Sequence, residues 1–193
     1  MTDNGGFTIG GVPASTYGIT LRYSPSIPML PETRDRTVEI PGRAGAYWFD
    51  SDLGQRTFSL PCRFQDCADA AALDVLIKAF ARVLVDVYGK PRALSLVFDD
   101  APLITYTVRY SGEIPFDREW MGYSEFTLKL TADDPYGYAE EDTTSGSITA
   151  SGGAVEVTSG GNVSTPVQIS VTNNGAAPVT GFAIIIQYPK TED

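Results

Sequence analysis

The stretch DAAALDVLIKAFARVLVDVY (residues 69–88) decides the fold class, because here the apolar residues follow helical spacing. Large apolar side chains recur three and four positions apart in it, at Leu73, Leu76, Ile77, Phe80, Leu84 and Val87. Such spacing places them on one face of a helix. Asp66 or Asp69 can cap the start, while Gly89 and Pro91 follow the end. The sequence therefore predicts one amphipathic helix of about five turns.

Most segments around this helix alternate with period two, which is typical of half-buried strands. The clearest apolar faces are Tyr17, Ile19, Leu21 and Tyr23; Phe58, Leu60, Cys62 and Phe64; Leu94–Phe98; Tyr106, Val108 and Tyr110; and Phe126, Leu128 and Leu130. Pro61 lies inside one of these runs and predicts an edge strand or a bulge, because proline cannot donate a ladder hydrogen bond. We predict an α+β fold, mainly antiparallel β: a curled sheet or β-sandwich with one packed α-helix.

The composition changes between residues 1–138 and residues 139–193, which we expect to be separate domains. Lys190 is the only basic residue of the second segment, and a Ser/Thr/Gly-rich run over 143–161 predicts a linker or one or two weak strands. Alternation in the rest predicts two strands joined across 173–175, at Val167, Ile169 and Val171 and at Phe182, Ile184 and Ile186. So few strands cannot bury enough surface alone. The segment is therefore a cut-down domain, packs on the first domain, or pairs with another subunit.

The residue types present argue against an enzyme. The chain has no histidine, the commonest general base and transition-metal ligand. Cys62 and Cys67 are expected to be reduced thiols, with a small disulfide loop as the alternative. The pairs Asp99-Asp100 and Asp133-Asp134 lie beside prolines in predicted turns, where caps and solvated carboxylates are commoner than an acid/base pair. We expect no catalytic residue, no cofactor and no metal.

Charge and hydropathy limit the classes of partner that this chain can bind. The formal net charge is −10 and the pI is about 4.4, which disfavours sequence-independent binding to nucleic acid. The longest aliphatic run, Phe182–Ile186, is far shorter than the roughly 18–20 residues of a membrane span. Met1–Ala14 has neither basic residues nor an apolar run, so no secretory signal is expected. We expect a chain made and folded in the cytosol, without a membrane partner.

The segment RDRTVEIPGRAG (residues 34–45) carries the strongest functional signal. Arginines and carboxylates are interleaved in and around it: Arg34, Arg36, Arg43 and Arg56 with Glu32, Asp35, Glu39, Asp50 and Asp52. Tyr47, Trp48 and Phe49 follow, and an isolated hairpin would leave them in water. Arginine together with aromatic residues is typical of protein interfaces. We interpret these arginines and aromatics as interface residues; the alternative is a solvated hairpin whose ion pairs contribute about 0–1 kcal/mol each.

Three segments resemble the N-terminal domain of phage distal tail proteins (Dit) of siphovirus-type tails. They are GFTIGGVPASTYGITL (6–21), LPETRDRTVEIPGRAGAYWFDSDLGQRTFSL (30–60), and SGEI followed by YSEFTLKLTADDPYGY (within 111–138). The resemblance covers about residues 6–138, and the combination of RDRTVEIPGR with a late DDPY is its most specific part.

The resemblance implies a structural virion protein at the tail tip, assembled in the host bacterial cytoplasm. Such proteins form a homohexameric ring that joins the tail-tube protein to the tail-associated hub or baseplate proteins. The tape-measure protein and then DNA pass through the channel, without specific DNA binding. An acidic chain is consistent with a channel that does not retain DNA.

The resemblance does not extend over the C-terminal segment. Members of the family usually carry a galectin-like β-sandwich there, so residues 139–193 are expected to be an incomplete or reduced galectin-like segment. Receptor or sugar binding is not implied for it. The alternative function is a monomeric carbohydrate-binding β-module of a phage or cell-surface protein, with Tyr47, Trp48 or Trp120 as platforms on which sugars stack.

Overall fold

The computed structural model describes most of the chain and divides it into two compact units, Met1–Asp142 and Thr143–Asp193. The described residues are 6–65, 67–120, 123–149, 153–157, 160–163, 167–181 and 183–185, without the side chains of 117–120 and 123. The division falls close to the compositional change at residue 138. The assignment of the two segments as domains stays a prediction.

The described part of the first unit contains ten strands and one α-helix. The strands are β1 Phe7–Ile9, β2 Val12–Pro13, β3 Ile19–Leu21, β4 Thr33–Glu39, β5 Ala46–Leu53, β6 Arg56–Phe64, β7 Leu94–Phe98, β8 Ala101–Tyr110, β9 Phe116–Trp120 and β10 Tyr123–Ala132. The helix α1 spans Ala70–Leu84, and a short 3-10 helix spans Ala14–Tyr17. Among the described residues, no helix is both long and apolar enough to cross a membrane.

Eight of these strands form one curled antiparallel sheet in the order β2-β1-β7-β8-β10-β6-β3, with β9 attached to β10. β10 and β6 pair along their length, from Ser124 opposite Phe64 to Ala132 opposite Arg56. β8 pairs with β7 and reaches β10 only at its last residues, Arg109 and Tyr110. Because β8 changes partner in this way, the sheet curls into a half-barrel. The predicted α+β fold, mainly antiparallel with one packed helix, is confirmed.

Helix α1 covers the concave core through its apolar stripe. The Asp69 carboxylate caps the helix by accepting a hydrogen bond from the Ala72 amide at 2.8 Å, as predicted; Asp66 lies outside the described residues. Leu73 and Leu84 are buried, and so is Phe80, whose ring centre lies 6.3 Å from that of Phe126 on β10. The burial of each such side chain stabilises the folded state by about 1.5–3 kcal/mol.

The helix ends earlier than its apolar spacing predicts. It stops at Leu84, and Val87, expected on the buried face, is 92% exposed. The Asp86 carboxylate accepts hydrogen bonds from the amides of Tyr88 and Lys90, both at 2.8 Å, and so closes a tight turn. A side chain that binds nearby amides competes with the helical hydrogen bonds. The prediction that Val87 continues the stripe is therefore wrong.

The predicted edge or bulge at Pro61 is also wrong. β6 lies between β10 and β3, and Pro61 stands opposite Thr127 in an unbroken register. β3 pairs with β6 only as far as Leu21. Beyond it, the Arg22 amide donates to the Pro61 oxygen at 2.9 Å. Pro61 has no amide hydrogen with which to donate back to Arg22. This missing bond lies at the end of the short β3–β6 ladder, so little strand pairing is lost.

The described residues of the second unit contain neither helix nor strand. The strand expected at Val167, Ile169 and Val171 is absent, and these residues are irregular and exposed. Of the second expected strand, Phe182 and Ile186 lie outside the described residues. An alternating run becomes a strand only when a neighbour completes its ladder and covers its apolar face. The galectin-like character of this segment stays a prediction.

Candidate protein-interface site

The hairpin of β4 and β5 is separate from the main sheet. Among the described residues these two strands pair only with each other. Ser51 is half-buried, and every other residue of the two strands is exposed. A two-stranded hairpin alone in water is marginally stable. The sequence thus places a long hairpin where this unit gives it no apolar support.

The base of the hairpin is tightly fastened. The Gly54 amide donates to the Glu32 oxygen at 2.5 Å, and a Cβ at Gly54 would lie 3.0 Å from that oxygen. Arg56 is half-buried, donates to the Pro28 oxygen at 2.6 Å, and lies 5.1 Å above the Tyr106 ring centre. Arg56 therefore ties the preceding loop to the sheet. Its predicted interface role stays a prediction.

A β-bulge orients the aromatic residues. Arg36 stands opposite Asp50 and Thr37 opposite Trp48, so Phe49 is the extra residue of β5. In a regular strand, residues three apart point to opposite faces. The bulge brings Trp48 to the face of Ser51, and the indole Nε1 donates to the Ser51 hydroxyl at 3.0 Å. The indole is held in place while remaining 63% exposed, and Phe49 is 67% exposed.

The opposite face of the hairpin carries the arginines of β4. Arg36 forms an ion pair with Asp52, and the Arg43 guanidinium lies 4.2 Å above the ring centre of Tyr47. Arg34 also stands opposite Asp52 in the register. Both members of the Arg36–Asp52 pair are more than half exposed, so the pair contributes little stability. The fold thus brings six of the seven predicted interface residues onto one hairpin, with much of the charge matched internally and the aromatic rings left exposed.

The late DDPY motif forms a second organised segment, which sequence reasoning did not connect to any role. Arg109 donates to both carboxylate oxygens of Asp133, at 2.9 and 3.0 Å, and Gln55 donates at 2.6 Å. The hydrogen bond from Arg109 lowers the pKa of Asp133. Asp134 accepts the Tyr138 hydroxyl at 2.7 Å, which raises the pKa of that phenol. Both carboxylates therefore have structural partners, as expected for turn residues.

The same segment is fastened to β8 by its backbone. The amide of Tyr138 donates to the Thr105 oxygen at 2.9 Å, and Thr105 donates back at 2.8 Å. A Cβ at Gly137 would lie 2.5 Å from Ile104 Cγ2 and 2.8 Å from the Tyr106 ring. A residue with a Cβ would collide with these two side chains, so the position requires glycine. We call residues 133–138 the exit segment, because the chain leaves the sheet there.

Few described features resemble a small-molecule site. An open cleft of about 320 Å³ lies between Leu103 on β8 and Glu140. In the described part of the chain no three metal-ligating side chains come together. Cys62 and Cys67 are free thiols, and burial raises the pKa of Cys62 to about 12. The side chain of Trp120, one of the predicted sugar platforms, lies outside the described residues.

Comparisons with known proteins agree with the fold. The family model described as "Phage tail protein RIFT-related domain" matches residues 13–132. The crystal structure of the Dit protein (gp 19.1) of phage SPP1, titled "a Paradigm of Hub Adsorption Apparatus in Gram-positive Infecting Phages", superposes with a TM-score of 0.61 at 18% identity. The match covers 72% of this chain and 54% of that chain, so this chain spans about half of that protein. No curated protein matches the sequence.

Proposed function

The chain belongs to the family of phage tail proteins with a RIFT-related domain, and on this premise we propose that it is a distal tail subunit that forms a hexameric ring. The ring would join the tail-tube protein to the tail-associated hub or baseplate protein at the tail tip. The protein is a structural component of a phage tail, and we propose that it acts by contact alone, without catalysis. Assembly in the host bacterial cytoplasm is part of the same proposal.

The observation that carries the proposal is the β4–β5 hairpin. It carries two large exposed aromatic side chains, Trp48 and Phe49, and a row of arginines and aspartates on the face opposite to Trp48. Exposed aromatic residues in such company are typical of hot spots at protein interfaces. A ring is built from one contact repeated head to tail, in which one surface of a subunit meets a different surface of the next. A hairpin that extends from the sheet is suited to reach a neighbour in this way.

The acidic charge supports the channel part of the proposal. With a net charge of −10, the subunits of a ring would surround a lumen whose potential repels phosphate. DNA and the tape-measure protein would then pass without being retained. The fold likeness to the SPP1 Dit protein, described as part of a hub adsorption apparatus, supports the position at the tail tip.

The test is the substitution Phe49→Ala, read by multi-angle light scattering. Phe49 is the bulge residue and is 67% exposed, so its truncation leaves the folded monomer intact. We expect the wild type to have the mass of six chains, alone or with tail-tube protein, and the variant to be smaller. Leu103→Ala is the matched control, because Leu103 is 73% exposed on a different strand. A variant that assembles like the wild type contradicts the interface assignment.

Two further measurements extend this test. Arg36→Glu should also disturb the ring without unfolding the monomer. Since Arg36 pairs with Asp52 inside the same hairpin, that change also weakens the hairpin itself.

A wild-type chain that stays monomeric with its tail-tube partner and is retained on a glycan array would favour the carbohydrate-binding alternative.

A further inference from the structure

The outer side of α1 and the turn after it form a basic face on an acidic protein. Lys78, Arg82, Lys90 and Arg92 are exposed, and Asp86 is the only acid between them. None of the ion pairs found among the described residues involves these four cations. The whole chain carries −10, so this local excess of positive charge is opposite in sign to the rest of the protein.

The basic face also contains exposed apolar side chains on rigid supports. Val75 is 66% exposed and shares a helical face with Lys78 and Arg82, three and four positions apart. Val87 and Tyr88 are 92% and 84% exposed at the tip of the turn. Because the Asp86 carboxylate accepts two amides of this turn, the tip is held in one conformation. A rigid apolar tip between exposed cations fits an acidic partner surface.

The same chain carries a surface of the complementary charge. Glu140, Glu141 and Asp142 are consecutive, and all three are exposed. No ion pair among the described residues includes them. They begin two residues after Tyr138, whose two backbone hydrogen bonds to Thr105 hold the chain just before this acidic run. Among the described residues, neither surface thus has an ion-pair partner of opposite charge.

We propose that the basic face of one subunit binds the acidic run 140–142 of a second copy. This inference rests on the proposed ring, and it names a contact made in addition to the hairpin. The two surfaces differ, so the contact can repeat head to tail, which is the arrangement that the proposed ring requires. Charge complementarity of this kind guides association and selects the partner. DNA is a less suitable occupant, because its phosphates would meet the net negative charge of the chain.

Single charge reversals test the contact. Lys90→Glu and Glu141→Lys should each weaken ring association by at least about tenfold, and the double variant should recover most of the loss. Lys129→Glu is the control, since Lys129 is exposed on β10 and changes the charge equally. Light scattering over a concentration series gives the association constants. The wild-type ring should also weaken as salt rises, because exposed charges are screened.

Cysteine cross-linking tests which chains touch. Lys90→Cys with Glu141→Cys, in a Cys67→Ser background, should give covalent products up to six chains on a non-reducing gel. A mixture of the two single variants should give dimers alone. A bond formed within one chain would overturn the inference, because the acidic run would then bind its own subunit.

The failures of the inference and of the proposed ring are distinguishable. If the wild type forms the ring and Lys90→Glu forms it equally well, the basic face is not a contact but the ring stands. If the wild type retains duplex DNA at about 50 mM salt, and an intact Lys90→Glu ring loses it, the face binds DNA and the inference is overturned. A wild-type chain that stays monomeric with tail-tube protein contradicts the ring and the contact together.

Discussion

Strand pairs β6–β10 and β4–β5 have opposite environments within one unit. β6 and β10 place Leu60 against Leu128, both fully buried in the core. β4 and β5 also pair along their length, apart from the bulge at Phe49, yet Trp48 and Phe49 stay in water. The first pair is stabilised by burial within the chain. The second has strand pairing without a core, which is the state expected of a surface completed by another protein.

The difference shows that alternation in a sequence predicts a strand but not what covers it. On β6, the apolar period of two faces a helix that the same chain supplies. On β5, three consecutive aromatic residues have no period, and a bulge at Phe49 directs them outward. Large apolar side chains that remain exposed in this way mark interaction sites. Substitutions in the two strand pairs should therefore have different effects on the isolated subunit.

The largest effect is expected in the buried pair. Leu128→Ala should lower the free energy of unfolding by about 2–5 kcal/mol, since it removes packed methyl groups and leaves a cavity. Phe49→Ala should change it by no more than about 0.5 kcal/mol. Chemical denaturation followed by tryptophan fluorescence measures both. Equal losses of unfolding free energy in the two variants would show that the hairpin is part of the monomer's core. That result would contradict the contrast between the two strand pairs.

A smaller effect is expected at the exit segment. A Cβ added by Gly137→Ala meets Ile104 and Tyr106 below contact distance, so the variant should lose about 1–3 kcal/mol and its Tyr138 amide should exchange faster with solvent. Gly160→Ala is the control, because a Cβ there has open space. Hydrogen exchange by NMR reads the amide directly. An unchanged Tyr138 amide in Gly137→Ala would show that the exit segment is not fastened to β8.

The smallest effect concerns pH. The pKa of Asp133 is lowered by Arg109, so the folded carboxylate stays charged at lower pH than in the unfolded chain. The stabilisation that this carboxylate gives to the folded state is fully present above pH 3.8, its ordinary pKa. It is lost as the pH falls through the lower pKa of the folded state. Asp133→Asn should therefore flatten the acid side of the stability curve slightly, because the pair is exposed. A curve parallel to that of the wild type would show that the pair contributes nothing.

Sequence reasoning identified the helix, its Asp69 cap, most strands of the main sheet and the hairpin with its aromatic residues. It placed the helix end too late, because apolar spacing does not show that the Asp86 carboxylate takes two amides. It grouped Arg56 with the hairpin arginines as an interface candidate, and no local pattern shows that this guanidinium packs on Tyr106. The bulge at Phe49 depends on cross-strand register, which a single strand does not encode. The exit segment joins β8, β10 and residue 55, and such distant pairings leave no local pattern.

Hydroxyl-radical footprinting of the aromatic residues tests the central claim most directly. Tyr47, Trp48 and Phe49 should be oxidised readily in the isolated chain, where they are 43%, 63% and 67% exposed. In the assembled tail tip, we predict that Trp48 and Phe49 become strongly protected while Leu103 changes little. Equal oxidation of the hairpin in the free and the assembled protein would contradict the claim that another protein covers it.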